Sequence, residues 1–387
     1  MGQLLSSLLC TFAEAGSPQA RHEELVARLQ ANALTERRFI PILVLGLPGS
    51  GKSLLIAQLA ASFSAPPHLL SGAAADDAAA AAAMRDATVD SARALARAAL
   101  ATGEPFGSAS AADAAALLVA LPQGCALTAV VAEATAHLWG SGGRAVALAW
   151  DAVSAHCSDN FNYLVRRAKA QSARGFAPSA EDRLRLHLPT LHPMRTLLRE
   201  RGAKNVLHLA EVPGCVLSSA AQLSCAVALL QESALALIFC CALSDFDRTE
   251  AAPAAGLALE PPRNRLVAAL DAWEAVARSP HFERAHITLL LTKQDAFTDK
   301  LETIDLRHPG SAAVPPRFLD YRGGADAGAA LAYLEARFHE RAAGRAVPVR
   351  IQATNLLDPK RVAALCTALK DHARHIKEEE LTVLDSQ

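Results

Sequence analysis

Gly46-Leu47-Pro48-Gly49-Ser50-Gly51-Lys52-Ser53 fits GxxxxGK[ST], and its surroundings matter as much as the match. Upstream, Phe39-Ile40-Pro41-Ile42-Leu43-Val44-Leu45 reads as a buried strand ending at the glycine turn. Downstream, Lys52 to Phe63 has a helical pattern that stops before Pro66-Pro67. Strand, glycine-rich turn and helix in this order build a phosphate cradle. Backbone N–H groups point inward at a β-phosphate, and the helix N-terminus adds a favourable dipole. Lys52 supplies a point charge for the β- and γ-phosphates, and the Ser53 hydroxyl is a ligand for Mg²⁺. Gly46, Gly49, Ser50, Gly51 and Leu54 complete the expected phosphate contacts. The motif does not choose between ATP and GTP.

Thr292-Lys293-Gln294-Asp295 makes that choice. It follows the apolar strand Ile287–Leu291, at the carboxyl edge where an open α/β sheet places its ligand. A carboxylate at Asp295 accepts from both N1–H and the exocyclic N2–H of guanine. Adenine offers neither donor there, and a buried carboxylate without a partner penalises it. The aliphatic stem of Lys293 is suited to cover the face of the base. Ala353-Thr354, just past the last expected strand, would add a backbone N–H for guanine O6.

Further out, strands and helices alternate. Asn205–Ala210, Leu235–Leu243 and Val347–Ile351 read as strands, the second suited to burial on both faces, with Cys240 and Cys241 as packing residues on opposite sides. Arg263–Arg278, Leu331–Arg341 and a closing segment from about Pro359 to Glu379 read as helices. This alternation indicates an α/β fold with a mostly parallel sheet and helices on both faces. Between the first helix and Pro178 the chain is rich in alanine and poor in strands. Arg85–Ala101, Ala111–Leu121 and Leu127–Leu138 favour helix, whereas the six-alanine run Ala78–Ala83 raises the alternative of partial disorder. The expected organisation is an N-terminal helix in 1–38, a nucleotide-binding domain in 39–64 and 184–387, and an inserted all-α domain in 65–183.

The 387 residues carry 38 Lys plus Arg against 39 Asp plus Glu, a formal charge of −1, which argues against a protein that wraps nucleic acid. The length suits two or three domains. No apolar run reaches the ~18 residues needed to span a bilayer. Eight Cys without a CxxC pair read as reduced intracellular thiols, and 13 His include no HExxH, so Mg²⁺ is the one metal expected. Met1-Gly2-Gln3-Leu4-Leu5-Ser6 fits a myristoylation signal at Gly2, and Cys10 is placed to take a second acyl chain. An ordinary start followed by a helix remains the plain alternative. A secretory signal peptide is disfavoured by the missing basic segment.

The chain resembles the alpha subunits of heterotrimeric G proteins. The resemblance rests on the phosphate loop, on Ala236-Leu237-Ile238-Phe239-Cys240-Cys241-Ala242-Leu243-Ser244-Asp245-Phe246-Asp247, and on Leu289–Asp295 with Phe297. It implies a Ras-like P-loop GTPase domain with an inserted helical domain, binding GTP or GDP with Mg²⁺. Leu184 and Arg185 fall in the family's linker, Thr190 on the first-switch threonine that serves Mg²⁺, and Gly214 on the glycine that senses the γ-phosphate. Glu211 stands where the family has an Mg²⁺-associated aspartate. His187 replaces the arginine that stabilises transition-state charge, and Cys215 the glutamine that positions water, so both catalytic positions are substituted and slow hydrolysis is expected. His187 reads more readily as a solvated linker residue and Cys215 as an inert thiol, whereas Arg185 reads equally as a substitute phosphate contact. Pro213 replaces a hinge glycine and restricts φ. Pro48 and Gly49 replace the family's glycine and glutamate in the phosphate loop. The resemblance further implies a beta-gamma dimer, a seven-helix receptor and an effector as partners, with peripheral attachment at the cytoplasmic face of the plasma membrane. The charged tail Lys377-Glu378-Glu379-Glu380 departs from the family's apolar end. A non-hydrolysing GTP-dependent scaffold and a P-loop ATP-dependent kinase are the alternatives.

Overall fold

The computed structural model describes residues 39–63, 77–153, 157, 160–186, 194–199, 206–214, 236–249, 263–302, 304–307 and 317–385. The strands are β1 (Phe39–Leu45), β2 (Met194–Arg199), β3 (Val206–Glu211), β4 (Ala236–Ala242), β5 (His286–Thr292) and β6 (Arg350–Ala353). They form a six-stranded sheet in the order β2-β3-β1-β4-β5-β6. All neighbours are parallel except the edge pair β2 and β3. The interior strands are apolar because both faces are covered: every residue of β4 is buried.

The described helices are α1 (Lys52–Ser62), α2 (Asp77–Ala101), α3 (Ala109–Ala120), α4 (Ala129–Ser141), α5 (Gly143–Val153), α6 (Phe161–Gln171), α7 (Ala180–Arg185), α8 (Arg265–Ala277), α9 (Gln294–Leu301), α10 (Ala327–Arg341) and α11 (Pro359–Asp385). On one face of the sheet, Leu45, Phe239, Cys241 and Leu291 pack with Trp273 of α8 and Phe338 of α10. On the other, Val44, Cys240 and Leu290 pack with Leu55 and Leu59 of α1 and Leu365 and Leu369 of α11. Cys240 and Cys241 therefore face opposite cores, as the two-residue period of a strand requires. Burial pushes the Cys240 thiol up to about 12, although Lys52 pulls it down, so it stays a protonated packing group.

A third core lies within α2 to α6. The alanine run is part of α2, with Ala80, Ala81, Ala92, Ala96 and Ala99 buried. Small side chains let neighbouring helices approach, and Trp139, Trp150 and Phe161 supply the bulk alanine lacks, with ring centroids 5.1–6.0 Å apart. Ser108 and Thr128 cap α3 and α4 by accepting from the backbone N–H three residues on.

Several elements differ from the sequence reading. The edge strand β2 and the helices α5, α6 and α7 were not anticipated. In β2 the buried positions are Thr196 and Leu198, while Arg195, Leu197 and Arg199 face outward, too little apolar signal to mark a strand. The last strand is Arg350–Ala353 rather than Val347–Ile351. Pro348 has no N–H for a ladder, and the Val347 carbonyl instead accepts from Arg345 Nε at 3.3 Å. The first inserted helix begins at Asp77, eight residues before Arg85, and the closing helix continues to Asp385. The expected helix before Arg38 lies outside the described residues.

Candidate nucleotide-binding site

The phosphate loop is shaped by close approach. Gly46 has φ +144°, and a Cβ there would lie 2.2 Å from the Cys240 carbonyl oxygen and 2.6 Å from Ser50 Oγ. Only glycine lets the loop turn this tightly over β4. Gly49 and Gly51 also have positive φ, at 79° and 90°. Gly51 is the N-cap of α1, with no side chain capping the helix and no acid in its first turn. The positive end of the α1 dipole thus faces the loop with no acidic side chain in the first turn to offset it. Lys52 is buried, and its Nζ donates to the carbonyls of Gly46 at 2.9 Å and Leu47 at 3.1 Å, which holds the ammonium over the loop.

The segment Thr292–Asp295, expected to read the base, is tied to this loop. Thr292 Oγ1 donates to the Ser50 carbonyl at 2.7 Å, joining the end of β5 to the phosphate loop across the sheet. Lys293 adopts a left-handed conformation with φ 57° as N-cap of α9, which turns the chain so that Asp295 stands in the helix's first turn. Beside it, Thr354 N–H donates to the Leu291 carbonyl at 2.8 Å, and the Thr354 carbonyl accepts from Gln294 N–H at 3.4 Å. Ala353 and Thr354 thereby join the same corner as Thr292–Asp295. Among the described residues, the buried hydroxyls of Ser50 and Thr354 have no hydrogen-bond partner. Two buried hydroxyls, a helix N-terminus and a buried lysine form a polar cradle that suits a phosphorylated, hydrogen-bonding ligand.

On the other side of the loop, Ser53 Oγ donates to Glu211 Oε1 at 2.7 Å. Glu211 is buried at the end of β3, so a hydroxyl and a carboxylate, both oxygen donors suited to Mg²⁺, stand together. Gly214 lies against the loop: a Cβ there would be 2.3 Å from Pro48 N and 2.6 Å from the Leu47 carbonyl carbon.

Leu184 and Arg185 close α7. Arg185 is directed to Glu181, with Nε 3.0 Å from Oε1, and its guanidinium lies 4.6 Å from the centre of the Tyr163 ring. In this arrangement it serves the helical unit rather than the phosphate loop. His187, Thr190 and Cys215 lie outside the described residues, as do Gly2 and Cys10.

The sequence reading missed Arg265 and Lys300. Arg265 donates from Nη2 to the Pro48 carbonyl and sets Nε 3.0 Å from Asp245 Oδ2. Lys300 Nζ donates to Asp247 Oδ1 at 2.8 Å. The available signal was Asn264, the cap of α8, whose side chain accepts from Leu266 and Val267 N–H and so places Arg265 at the helix start.

A mostly parallel sheet with a glycine-rich loop between its first strand and α1, and a helical unit inserted after α1, defines a Ras-like nucleotide-binding fold. Residues 19–373 match the family model described as G-protein alpha subunit, and the chain belongs to that family. It is 25% identical over 360 residues to the guanine nucleotide-binding protein alpha-1 subunit of Mycosarcoma maydis, covering 91% of this chain and 93% of that one. A shorter match, 34% over 148 residues, joins it to the alpha-3 subunit of Neurospora crassa, covering 36% of this chain and 37% of the relative. The alpha-2 subunit of Kluyveromyces lactis is 33% identical over 130 residues, 33% of this chain and 21% of that one. The family consists of guanine-nucleotide-binding signal transducers, GTPases that generally act with Mg²⁺ and work with beta-gamma, receptor and effector partners. Among the described residues no helix is long and apolar enough to cross a membrane.

Proposed function

We propose that this chain is a guanine-nucleotide switch whose GTP hydrolysis is slow. The observation that carries the nucleotide reading is the hydrogen bond from Thr292 to the Ser50 carbonyl, which ties the phosphate loop to the segment we read as guanine-binding. In this reading Gly46, Gly49, Ser50, Gly51, Lys52, Ser53 and Leu54 hold the phosphates, and Asp295 reads guanine through its two N–H donors. Lys293, Thr292, Ala353 and Thr354 wall the base. Ser53, Glu211 and Thr190 would hold Mg²⁺, which when bound neutralises phosphate charge. Gly214 senses the γ-phosphate, and Leu184 and Arg185 belong to the segment entering the first switch. His187 and Cys215 occupy the positions where the family places its charge-stabilising arginine and water-positioning glutamine. Neither offers the donors those groups supply.

The domain division at 1–38, 39–64 with 184–387, and 65–183 follows from the same reading and is supported by the separate core of α2 to α6. We further propose a beta-gamma dimer on the N-terminal helix and second switch, a seven-helix receptor at α11, and an effector reading the switches. Acylation at Gly2 and Cys10 would attach the protein peripherally to the cytoplasmic face of the plasma membrane. The deciding experiment is to identify and quantify the nucleotide carried by the purified protein, then to displace it with GTP, GDP and ATP. Co-purified GDP or GTP, displaced by guanine nucleotides and not by ATP, is the expected result. Equal competition by ATP overturns the reading in favour of an ATP-dependent kinase.

A further inference from the structure

Helix α9, which carries Asp295 in its first turn, is anchored to the 3-10 turn Leu243–Asp247 that follows β4. Two contacts make the anchor. The buried rings of Phe297 and Phe246 meet edge to face, with centroids 5.4 Å apart. Lys300 Nζ donates to Asp247 Oδ1 at 2.8 Å and to the Ser244 carbonyl at 2.8 Å. The Asp247 side chain is fully buried and that of Lys300 is 16% exposed, so water and salt screen this pair little. Asp247 also accepts from Trp150 Nε1 at 3.3 Å. At the N-terminal end of α9 the ties are longer or more exposed. Among the described residues no side chain caps the helix, Gln294 N–H reaches the Thr354 carbonyl at 3.4 Å, and the Gln294 side chain accepts from Arg361 at the surface.

We propose that Lys300 is a positioning residue for base selectivity: held by Asp247 and Ser244, it fixes the rotation of α9 and with it the carboxylate of Asp295. The proposal rests on the guanine-nucleotide reading of the pocket and adds what sets the precision of that reading. Asp295 and Lys300 are five residues apart, about 7.5 Å along the helix axis at ~1.5 Å per residue. Across so short a helix, a shift at one end reaches the other. Reading guanine takes two hydrogen bonds to one carboxylate, from N1–H and N2–H, and each weakens steeply as its angle closes. A small turn of α9 about its axis keeps one oxygen near its donor and draws the other away. The Phe297–Phe246 contact resists such a turn weakly, because it is apolar and non-directional. Lys300 resists it strongly, because its ammonium is held by two acceptors at once. The phosphate contacts belong to the loop and α1, which α9 does not carry. The anchor therefore acts on the choice of base more than on the overall hold.

The test is equilibrium binding of GDP, IDP and ADP to the full chain, comparing wild type with Lys300→Met, Lys300→Arg, and Lys300→Met combined with Asp247→Asn. Hypoxanthine lacks the 2-amino group of guanine, so the ratio of GDP to IDP affinity reports the N2–H bond. That ratio should fall about tenfold in Lys300→Met, the size of one hydrogen bond to a charged acceptor, while IDP binding changes far less. A merely structural loss would weaken both nucleotides alike and leave the ratio where it was. Lys300→Arg, which keeps a cation beside Asp247, should recover most of the ratio. If losing the cation beside a buried carboxylate stops Lys300→Met from folding, the double variant removes both charges and should show the same fall. An unchanged ratio in the methionine variants, or no recovery in Lys300→Arg, overturns the proposal. ADP binding to wild type as tightly as GDP overturns the guanine reading instead. A second readout needs no nucleotide: the Phe297 N–H, bonded to the Lys293 carbonyl at 3.0 Å, should exchange faster in the methionine variants. Unchanged exchange there overturns the anchor, whereas faster exchange in a chain that binds no guanine nucleotide keeps the anchor and sinks only the guanine reading.

Discussion

Ser53 Oγ, at the head of α1, and Glu211 Oε1, at the end of β3, are 2.7 Å apart although 158 residues separate them in the chain. That is an ordinary O–H···O hydrogen-bond length, and it brings together the hydroxyl and the carboxylate proposed above to hold Mg²⁺. Glu211→Ala should raise the Mg²⁺ concentration needed to slow GDP release by an order of magnitude or more, while Glu211→Asp keeps the charge and should have a smaller effect. Titrating Mg²⁺ against the GDP release rate checks this; an unaltered midpoint in Glu211→Ala removes Glu211 from the metal site.

In the proposed reading, Asp295 governs which base is held. Asp295→Asn should weaken GTP and GDP by roughly 100-fold, taking two hydrogen bonds to a charged acceptor at about 1.5 kcal/mol each. Xanthine nucleotides should gain in relative affinity, because their C2 carbonyl accepts from the new amide. Competition binding with GDP, XDP and ADP gives the answer, and a variant that keeps its preference for GDP over XDP speaks against the assignment.

Asp182 ties the return segment of the helical unit together. Its fully buried carboxylate accepts from Arg167, from the Tyr163 hydroxyl at 2.6 Å and from both Ser179 N–H and Ser179 Oγ. Burial by itself raises its pKa, but these donors outweigh it and hold the carboxyl well below the usual range. A depressed folded-state value contributes stability that is complete above the unfolded-state value near ~3.9 and is lost as pH falls toward the folded-state value. Asp182→Asn should cost about 2 kcal/mol, the lower side for a paired carboxylate, because Arg167 keeps a third of its exposure. Its unfolding midpoint should differ most from wild type at neutral pH and converge with it in acid. A constant difference from pH 7 down to pH 2 would contradict the assigned charge state.

Hydrolysis is expected to be slow because the charge and the water-positioning amide are both replaced. An arginine in that role is worth on the order of 10³-fold in rate, about 4 kcal/mol of barrier. His187→Arg with Cys215→Gln should accelerate single-turnover hydrolysis of preloaded GTP beyond either change alone. Wild-type hydrolysis at a rate neither change improves would mean that the catalytic positions lie elsewhere.

The phosphate loop was legible from Gly46 to Ser53 because its requirements are local: glycines where φ is positive, and a lysine and a serine at the helix start. Strand β4 was legible for a similar reason, since burial on both faces writes an unbroken apolar run. Strand β2 was not. Its half-exposed Met-Arg-Thr-Leu-Leu-Arg acquires meaning only when β3 lies beside it. The alanine-rich helices were recognised as helical, but their packing around Trp139, Trp150 and Phe161 depends on elements that come together only in the folded unit.

By itself the sequence determined the frame of the proposed nucleotide site: a glycine-rich loop between strand and helix, and an α/β sheet with a helical insertion after its first helix. These follow from backbone conformations and periodicities set over a few neighbouring residues. The tertiary structure alone decided which distant charges meet. Arg265 reaches the Pro48 carbonyl 217 residues away, Arg248 the Cys157 carbonyl 91 residues away, and Ser53 the carboxylate of Glu211. Such pairs leave no pattern in the chain, because a buried ion finds its partner through the path by which the backbone returns to it.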